Sequence, residues 1–244
     1  MNRIKLSPLA AQAPVDTLDP GLSTSVKTGS LFKSVQDEFS LFVPLHYEKN
    51  YAYPLVVWLH SDGKSANQVQ DVVLDLSMRN YVAIAPQSPH GDATRGFFWD
   101  QDWDTVEQAE GAVLSAIDIA SQRCNINPNR IFIAGMGSGG TMAFRLGLSR
   151  PDHFAGILSI HGPLPSDQSP LRDWSRCRNL PVFWTHGRET TGFDQQLLCR
   201  QLRLLHIAGF NVSLRQYSQV ESTFGQMLAD MNRWIMELIS SAIR

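Results

Sequence analysis

The chain carries Ile131-Phe132-Ile133-Ala134, breaks into Gly135-Met136-Gly137-Ser138-Gly139-Gly140, and resumes as Thr141-Met142-Ala143-Phe144. An apolar run that ends in glycines and restarts with apolar residues predicts a strand, a tight corner and a helix. Glycine takes a positive φ without strain, whereas a residue with a side chain pays on the order of 1 kcal/mol for it, so glycines suit a tight corner. Gly137 sits at that corner, between Gly135 and Gly139.

The rest of the chain repeats the alternation that this unit begins. Tyr53 to His60 and Tyr81 to Pro86 are continuous apolar runs, as expected of strands buried on both faces; Ala155 to Gly162 and Pro181 to Gly187 are expected to be further strands, and Val212 to Tyr217 the last. Helical periodicity lies between them. Val69, Val72, Val73 and Leu76 share a face; Val106, Ala109, Val113, Ala116, Ile117 and Ala120 follow Asp104 as a cap; Leu197, Leu198, Leu202 and Leu205 follow Asp194; and Phe224 to Ile239 carries a strong apolar stripe. Asn127-Pro128-Asn129-Arg130 is expected to turn the chain into the central strand. Leu31 to Val35 and Glu38 to Val43 alternate at period two about Gln36-Asp37, which predicts a hairpin.

The expected architecture is α/β: a mostly parallel central sheet of about eight strands, helices on both faces, and an antiparallel N-terminal edge hairpin. Residues 1–28 mix Pro8, Pro14, Pro20 and Gly21 with Ser and Thr and predict an irregular tail, leaving 29–244 as a single domain. A helix around Trp174 is expected to interrupt a long connection at 163–180.

Composition narrows the function classes. A net charge of -2 with 18% charged residues leaves no basic excess to hold a phosphate backbone, so nucleic acid is not an expected partner. Cys124, Cys177 and Cys199 have no metal-like spacing and read as free thiols or small core residues, and neither a cofactor motif nor a metal motif is present. Met1 to Ala10 lacks a long apolar region and no later run reaches membrane-spanning length, so a cytoplasmic location is expected.

The strand-corner-helix unit resembles the nucleophile elbow G-x-S-x-G of the α/β-hydrolases, and in particular of the carboxylesterase/phospholipase and depolymerase-like esterase branch. The resemblance covers roughly residues 30 to 240. It implies an α/β-hydrolase fold and a serine-acid-histidine triad, and it puts those three roles at Gly137, Thr190 and Ser222, none of which can perform them. It also implies that His60-Ser61-Asp62-Gly63 stands where related enzymes carry an oxyanion-hole loop. Asp62 has two readings: a turn residue paired with Gly63, or a carboxylate turned inward, where it raises the barrier that the hole exists to lower. Phe97-Phe98-Trp99 either lines the cleft or seals the core below it.

The expected cleft comprises His60, Ser61, Asp62, Gly63, Trp99, Met136, Gly137, Ser138 and His161. The leading expectation is a non-catalytic binding or regulatory module for a small ester-like or acyl ligand. The alternative is an active carboxylic-ester hydrolase using Ser138 with a relocated base, His161 or His186. A third arrangement is an acid/base or metal site made from His60, Asp62, His161 and Glu189. The sequence does not fix an oligomeric state.

Overall fold

The computed structural model describes residues 31–33, 39–166, 174–187, 193–218 and 223–241. The expected tail and the expected hairpin turn lie outside these residues. In chain order the elements are β1 (Leu31–Lys33), β2 (Phe39–Phe42), β3 (Tyr53–Leu59), α1 (Val69–Leu76), β4 (Val82–Pro86), β5 (His90–Asp92), β6 (Gly96–Phe98), α2 (Trp103–Arg123) and β7 (Ile126–Met136). They continue as α3 (Ser138–Ser149), β8 (Gly156–Ile160), α4 (Trp174–Cys177), β9 (Val182–Gly187), α5 (Gln195–Ile207), β10 (Val212–Tyr217) and α6 (Phe224–Ser241).

Eight strands form one sheet in the order β1-β2-β4-β3-β7-β8-β9-β10. The pairings from β4 to β10 are parallel, while β2 runs antiparallel to β4 and β1 antiparallel to β2. Four of the runs read from the sequence, β3, β4, β8 and β9, are strands buried along their whole length, whereas β10, at the edge of the sheet, is largely half-buried or exposed. One apolar layer joins α2, α3 and α5 to residues such as Leu55, Ile133 and Trp184; the other joins α1 and α6 to Val56, Phe132 and Phe183. Because side chains alternate along a strand, one short run feeds both layers.

Three local expectations are corrected. The cap of α2 is Asp102 rather than Asp104: Asp102 accepts from the Thr105 N–H at 3.0 Å and from the Thr105 hydroxyl at 2.7 Å, leaving Asp104 in the first turn. Residues 127–130 turn the chain within β7 rather than ahead of it, with the Asn129 N–H donating to Asn127 Oδ1 at 3.0 Å. They belong to β7, as a bulge between the pairs Tyr53↔Ile126 and Leu55↔Ile131. The stretch after β4 is not a plain loop either, because β5 and β6 pair as a two-stranded antiparallel ribbon.

The corner after β7 forms as the sequence predicts. Gly137 has φ 60 and ψ -125, and α3 begins at the next residue. The helix then passes so close to the sheet that a Cβ on Gly139 would lie 2.4 Å from the carbonyl oxygens of both Leu59 and His60. Ten consecutive residues of α3, Gly139 to Leu148, are buried.

This close approach yields a paired prediction. Gly139→Ala drives a methyl group into two strand carbonyls that cannot rotate away, and is expected to cost about 3 kcal/mol or more. Gly111→Ala, in the exposed face of α2 with nothing near its added Cβ, is expected to stabilise by about 0.5–1 kcal/mol through helix propensity. Urea unfolding of the two variants checks both signs.

Candidate functional site

Parallel strands place their carboxyl ends on one edge, and the candidate residues follow those ends: His60 to Gly63 after β3, Gly137 and Ser138 after β7, and His161 after β8. The loop after β3 is spent on structure. His60 is fully buried; its Nδ1 donates to the Ser61 carbonyl at 3.1 Å, and its Nε2 accepts from the Ser88 N–H at 3.2 Å and lies 3.3 Å from the Gln87 amide nitrogen. This pairing fixes the neutral Nδ1-protonated tautomer. Burial lowers the affinity of this imidazole for a second proton, partly offset by the Ser61 hydrogen bond and the Asp62 charge.

Gln68, which sequence reasoning did not single out, holds Ser61. Its Oε1 accepts from the Ser61 N–H at 2.8 Å and the Trp58 indole at 3.1 Å, and its Nε2 donates to the Ser61 hydroxyl at 2.9 Å. The Gly63 N–H donates to the Phe97 carbonyl at 3.0 Å and the Lys64 N–H to the Ser61 carbonyl at 3.1 Å. Three amide donors of this loop are thus committed within the protein.

Asp62 combines its two expected readings. The Ser61–Lys64 hydrogen bond closes a turn around Asp62-Gly63, and the exposed Asp62 side chain also points at the elbow. Its Oδ2 accepts from the Ser138 N–H at 3.3 Å. Among the described residues, chain neighbours aside, the same oxygen is the one atom within 4 Å of a Cβ built on Gly137, at 2.9 Å. The carboxylate therefore borders the space that an elbow side chain would enter, and it holds the amide that follows the elbow. An oxyanion about 4 Å from this charge would be repelled by roughly 1–4 kcal/mol, between the limits of water and of a protein surface. That matches or exceeds the return of about 0.5–1.5 kcal/mol from one hydrogen bond.

The remaining expected residues divide between floor and rim. Trp99 is 1% exposed and donates its indole N–H to the His60 carbonyl at 3.0 Å, so it lies beneath the cleft. Met136 is half-buried and packs toward the layer of α1 and α6. The Ser138 hydroxyl accepts from the Trp99 N–H at 3.4 Å, and no hydrogen bond joins it to His161 or His186. Thr190, Glu189 and Ser222 lie outside the described residues.

His161 has φ 55, an uncommon conformation for a residue with a side chain. Its Nδ1 accepts from the Gly187 N–H at 2.9 Å, so the neutral ring carries its proton on Nε2. The corner is braced by the Gly162 carbonyl, which accepts from Ser159 and Trp184, and by buried Gln201, whose amide bonds both backbone groups of Leu164. His161 Nε2, His186 Nδ1 and Thr185 Oγ1 are buried without a hydrogen-bond partner. Among the described residues, one group has metal-ligand spacing, His90, Asp100 and Asp102, with ligand atoms within 4.8 Å of one another. It is distinct from the set of His60, Asp62, His161 and Glu189, and Asp102 is occupied as the α2 cap.

The phospholipase/carboxylesterase family profile matches residues 48–239. A poly(3-hydroxybutyrate) depolymerase of Ralstonia pickettii is 33% identical over 89 residues, 34% of this chain and 18% of that protein. The chain spans about a fifth of the length of the curated relatives it matches, 20% and 18%. Among solved structures, the Bacillus cereus carboxylesterase superposes with a TM-score of 0.64 at 15% identity, covering 82% of this chain and 93% of that one. A phospholipase/carboxylesterase from Dyadobacter fermentans gives 0.63 at 16% identity, covering 86% and 98%. At these identities the superpositions establish the fold alone.

His161 generates a pH prediction. Burial, and then the neighbouring His186, lower its pKa from 6.5 to about 4. As pH falls the unfolded chain takes up this proton first, so the contribution is complete above about pH 6.5 and is lost progressively down to about pH 4, on the order of 3 kcal/mol. His161→Asn keeps an acceptor for the Gly187 N–H and tolerates the positive φ. Its urea midpoint is expected to fall markedly less than the parent's between about pH 7 and pH 4.5.

Proposed function

The chain belongs to the phospholipase/carboxylesterase family of α/β-hydrolases, and from that premise we propose that it is a non-hydrolytic member, a binding or regulatory module for a small ester-like or acyl compound. The observation that carries this reading is the elbow itself. Gly137 offers no reacting atom, and the Asp62 carboxylate takes the amide of Ser138. A serine hydrolase needs a nucleophile, a base that accepts its proton and an acid that orients the base, and removal of triad members lowers turnover by several powers of ten. Thr190 and Ser222, which stand at the acid and base positions by family resemblance, have no chemistry suited to either role.

Ser138 supports the same reading. Its hydroxyl faces the Trp99 backbone and has no imidazole within hydrogen-bond reach, so nothing activates it as a nucleophile. The loss of hydrolysis is also doubly enforced. A serine introduced at position 137 would bring its Cβ against Asp62 Oδ2 and would still face a repelling charge where the tetrahedral oxyanion forms.

Treatment of the folded protein with a fluorophosphonate, followed by peptide mapping, tests for an activated serine without knowledge of the substrate. No adduct is expected at Ser138, and hydrolysis of p-nitrophenyl butyrate is expected to equal that of the Ser138→Ala variant. Specific labelling of Ser138, or turnover well above that control, overturns the proposal. Gly137→Ser alone is expected to remain unlabelled.

A further inference from the structure

We infer that the outer face of α5 is a docking surface for an anionic lipid bilayer, which it meets with two arginines and two exposed aliphatic side chains. The inference is independent of the elbow and of the non-hydrolytic reading.

Helical spacing builds the face. Arg200, Arg203, Leu204 and Ile207 stand at i, i+3, i+4 and i+7 of α5, so they share one side of the helix. The other side carries Leu198 and Leu205, which are buried in the core. A helix packed on one side is expected to be polar on the other, yet Leu204 is 50% exposed and Ile207 76%. Isolated exposed aliphatic residues are ordinary, but these two are neighbours and the apolar surface continues beside them. A groove of about 420 Å³ adjoins the ridge, lined by Cys199, Leu202, Arg203, His206, Phe210 and Val212 of α5 and the chain leading into β10.

The charge on this face has one sign. From Gln195 to Tyr217 the chain has three arginines and a histidine and neither Asp nor Glu. Arg200 and Arg203 are exposed, and among the described residues neither is held in an ion pair. The formal charge of the whole chain is -2, so attraction to an anionic surface has to come from a local face. The guanidinium fork matches a phosphate, while its stem lies along apolar surface and keeps the head in water. Arg203 belongs to the ridge and lines the groove, so it sets a phosphate contact directly beside apolar surface. The same order of groups holds at a bilayer surface, where charged head groups border the acyl chains.

The size of the face favours a bilayer over a protein partner. A stable protein interface takes roughly 800 Å² from each side with matched shapes, far more than two aliphatic side chains and a groove of this size supply. A second copy related by symmetry would bring arginines toward arginines. A bilayer requires no matched shape, because each basic residue near an anionic surface and each inserted aliphatic group adds to the affinity.

Flotation of the full chain with vesicles tests this, using phosphatidylcholine alone and phosphatidylcholine mixed in equal parts with phosphatidylglycerol. At low salt the protein is expected to float with the mixed vesicles and not with the neutral ones, and added salt is expected to release it. Arg200→Gln/Arg203→Gln is expected to weaken binding at least tenfold, at roughly fivefold per arginine. Leu204→Gln/Ile207→Gln is expected to weaken it by roughly fivefold or more. Lys49→Gln/Arg79→Gln removes the same charge elsewhere and is expected to change binding by less than about twofold. All six positions are exposed, and circular dichroism verifies that each variant is folded. The inference is overturned if the parent ignores the mixed vesicles or binds the neutral ones as strongly. It is equally overturned if either ridge variant binds undiminished, or if Lys49→Gln/Arg79→Gln loses as much as Arg200→Gln/Arg203→Gln. Sedimentation showing a dimer that Leu204→Gln/Ile207→Gln abolishes, with no vesicle binding, assigns the face to a second copy and also overturns it.

Discussion

Everything at the carboxyl edge of the sheet depends on how closely α3 approaches β3. Gly139 lies against the Leu59 and His60 carbonyl oxygens, at a separation that no residue with a Cβ could reach. That contact sets the height of the helix above the sheet. It therefore sets where Gly137 turns and where the first helical amide, that of Ser138, points. The helix is held there by burial, since its inward residues Met142, Ala143 and Leu146 join the layer that also contains Leu55, Leu59 and Ile133. The catalytic-looking geometry of the corner is in this sense a packing result, and it persists whether or not a reacting atom is present.

The loop after β3 is held by hydrogen bonds within the protein. His60 reads as a candidate for chemistry by type and position, yet both ring nitrogens are engaged, one with Ser61 and the other with Ser88 and Gln87. It pins the loop after β3 to the loop after β4, and its burial keeps it neutral. Gln68 completes the arrangement by saturating Ser61. A loop whose amides are bound internally is rigid, but it has few donors left for a ligand.

Fold and site were legible to different degrees for physical reasons. Strand and helix patterning is a local signal, because burial on both faces demands continuous apolar residues and burial on one face demands a 3.6-residue stripe. The parallel core, the inward face of α1 and the Asp194 cap of α5 all follow from it. The β5–β6 ribbon was not legible, because its strands are three residues each and lean on the Gly63 turn through the Lys64 and Phe97 backbones rather than on their own pattern. The capping-box spacing favours Asp104, which has Glu107 three residues on, whereas the backbone geometry makes Asp102 the α2 cap.

By itself the sequence determined the layered α/β architecture, the glycine corner after β7 and the identity of the residues at each strand end, since all three are written in local periodicity and residue type. Where those residues point was decided by the tertiary structure alone. Trp99 turns down to the His60 carbonyl, the Ser138 hydroxyl toward the Trp99 amide, and Asp62 inward to the Ser138 N–H. Asp62 and Ser138 are 76 positions apart, and no local rule relates them. Their contact exists because Gly139 lets two backbones meet and Gly137 leaves the space between them open.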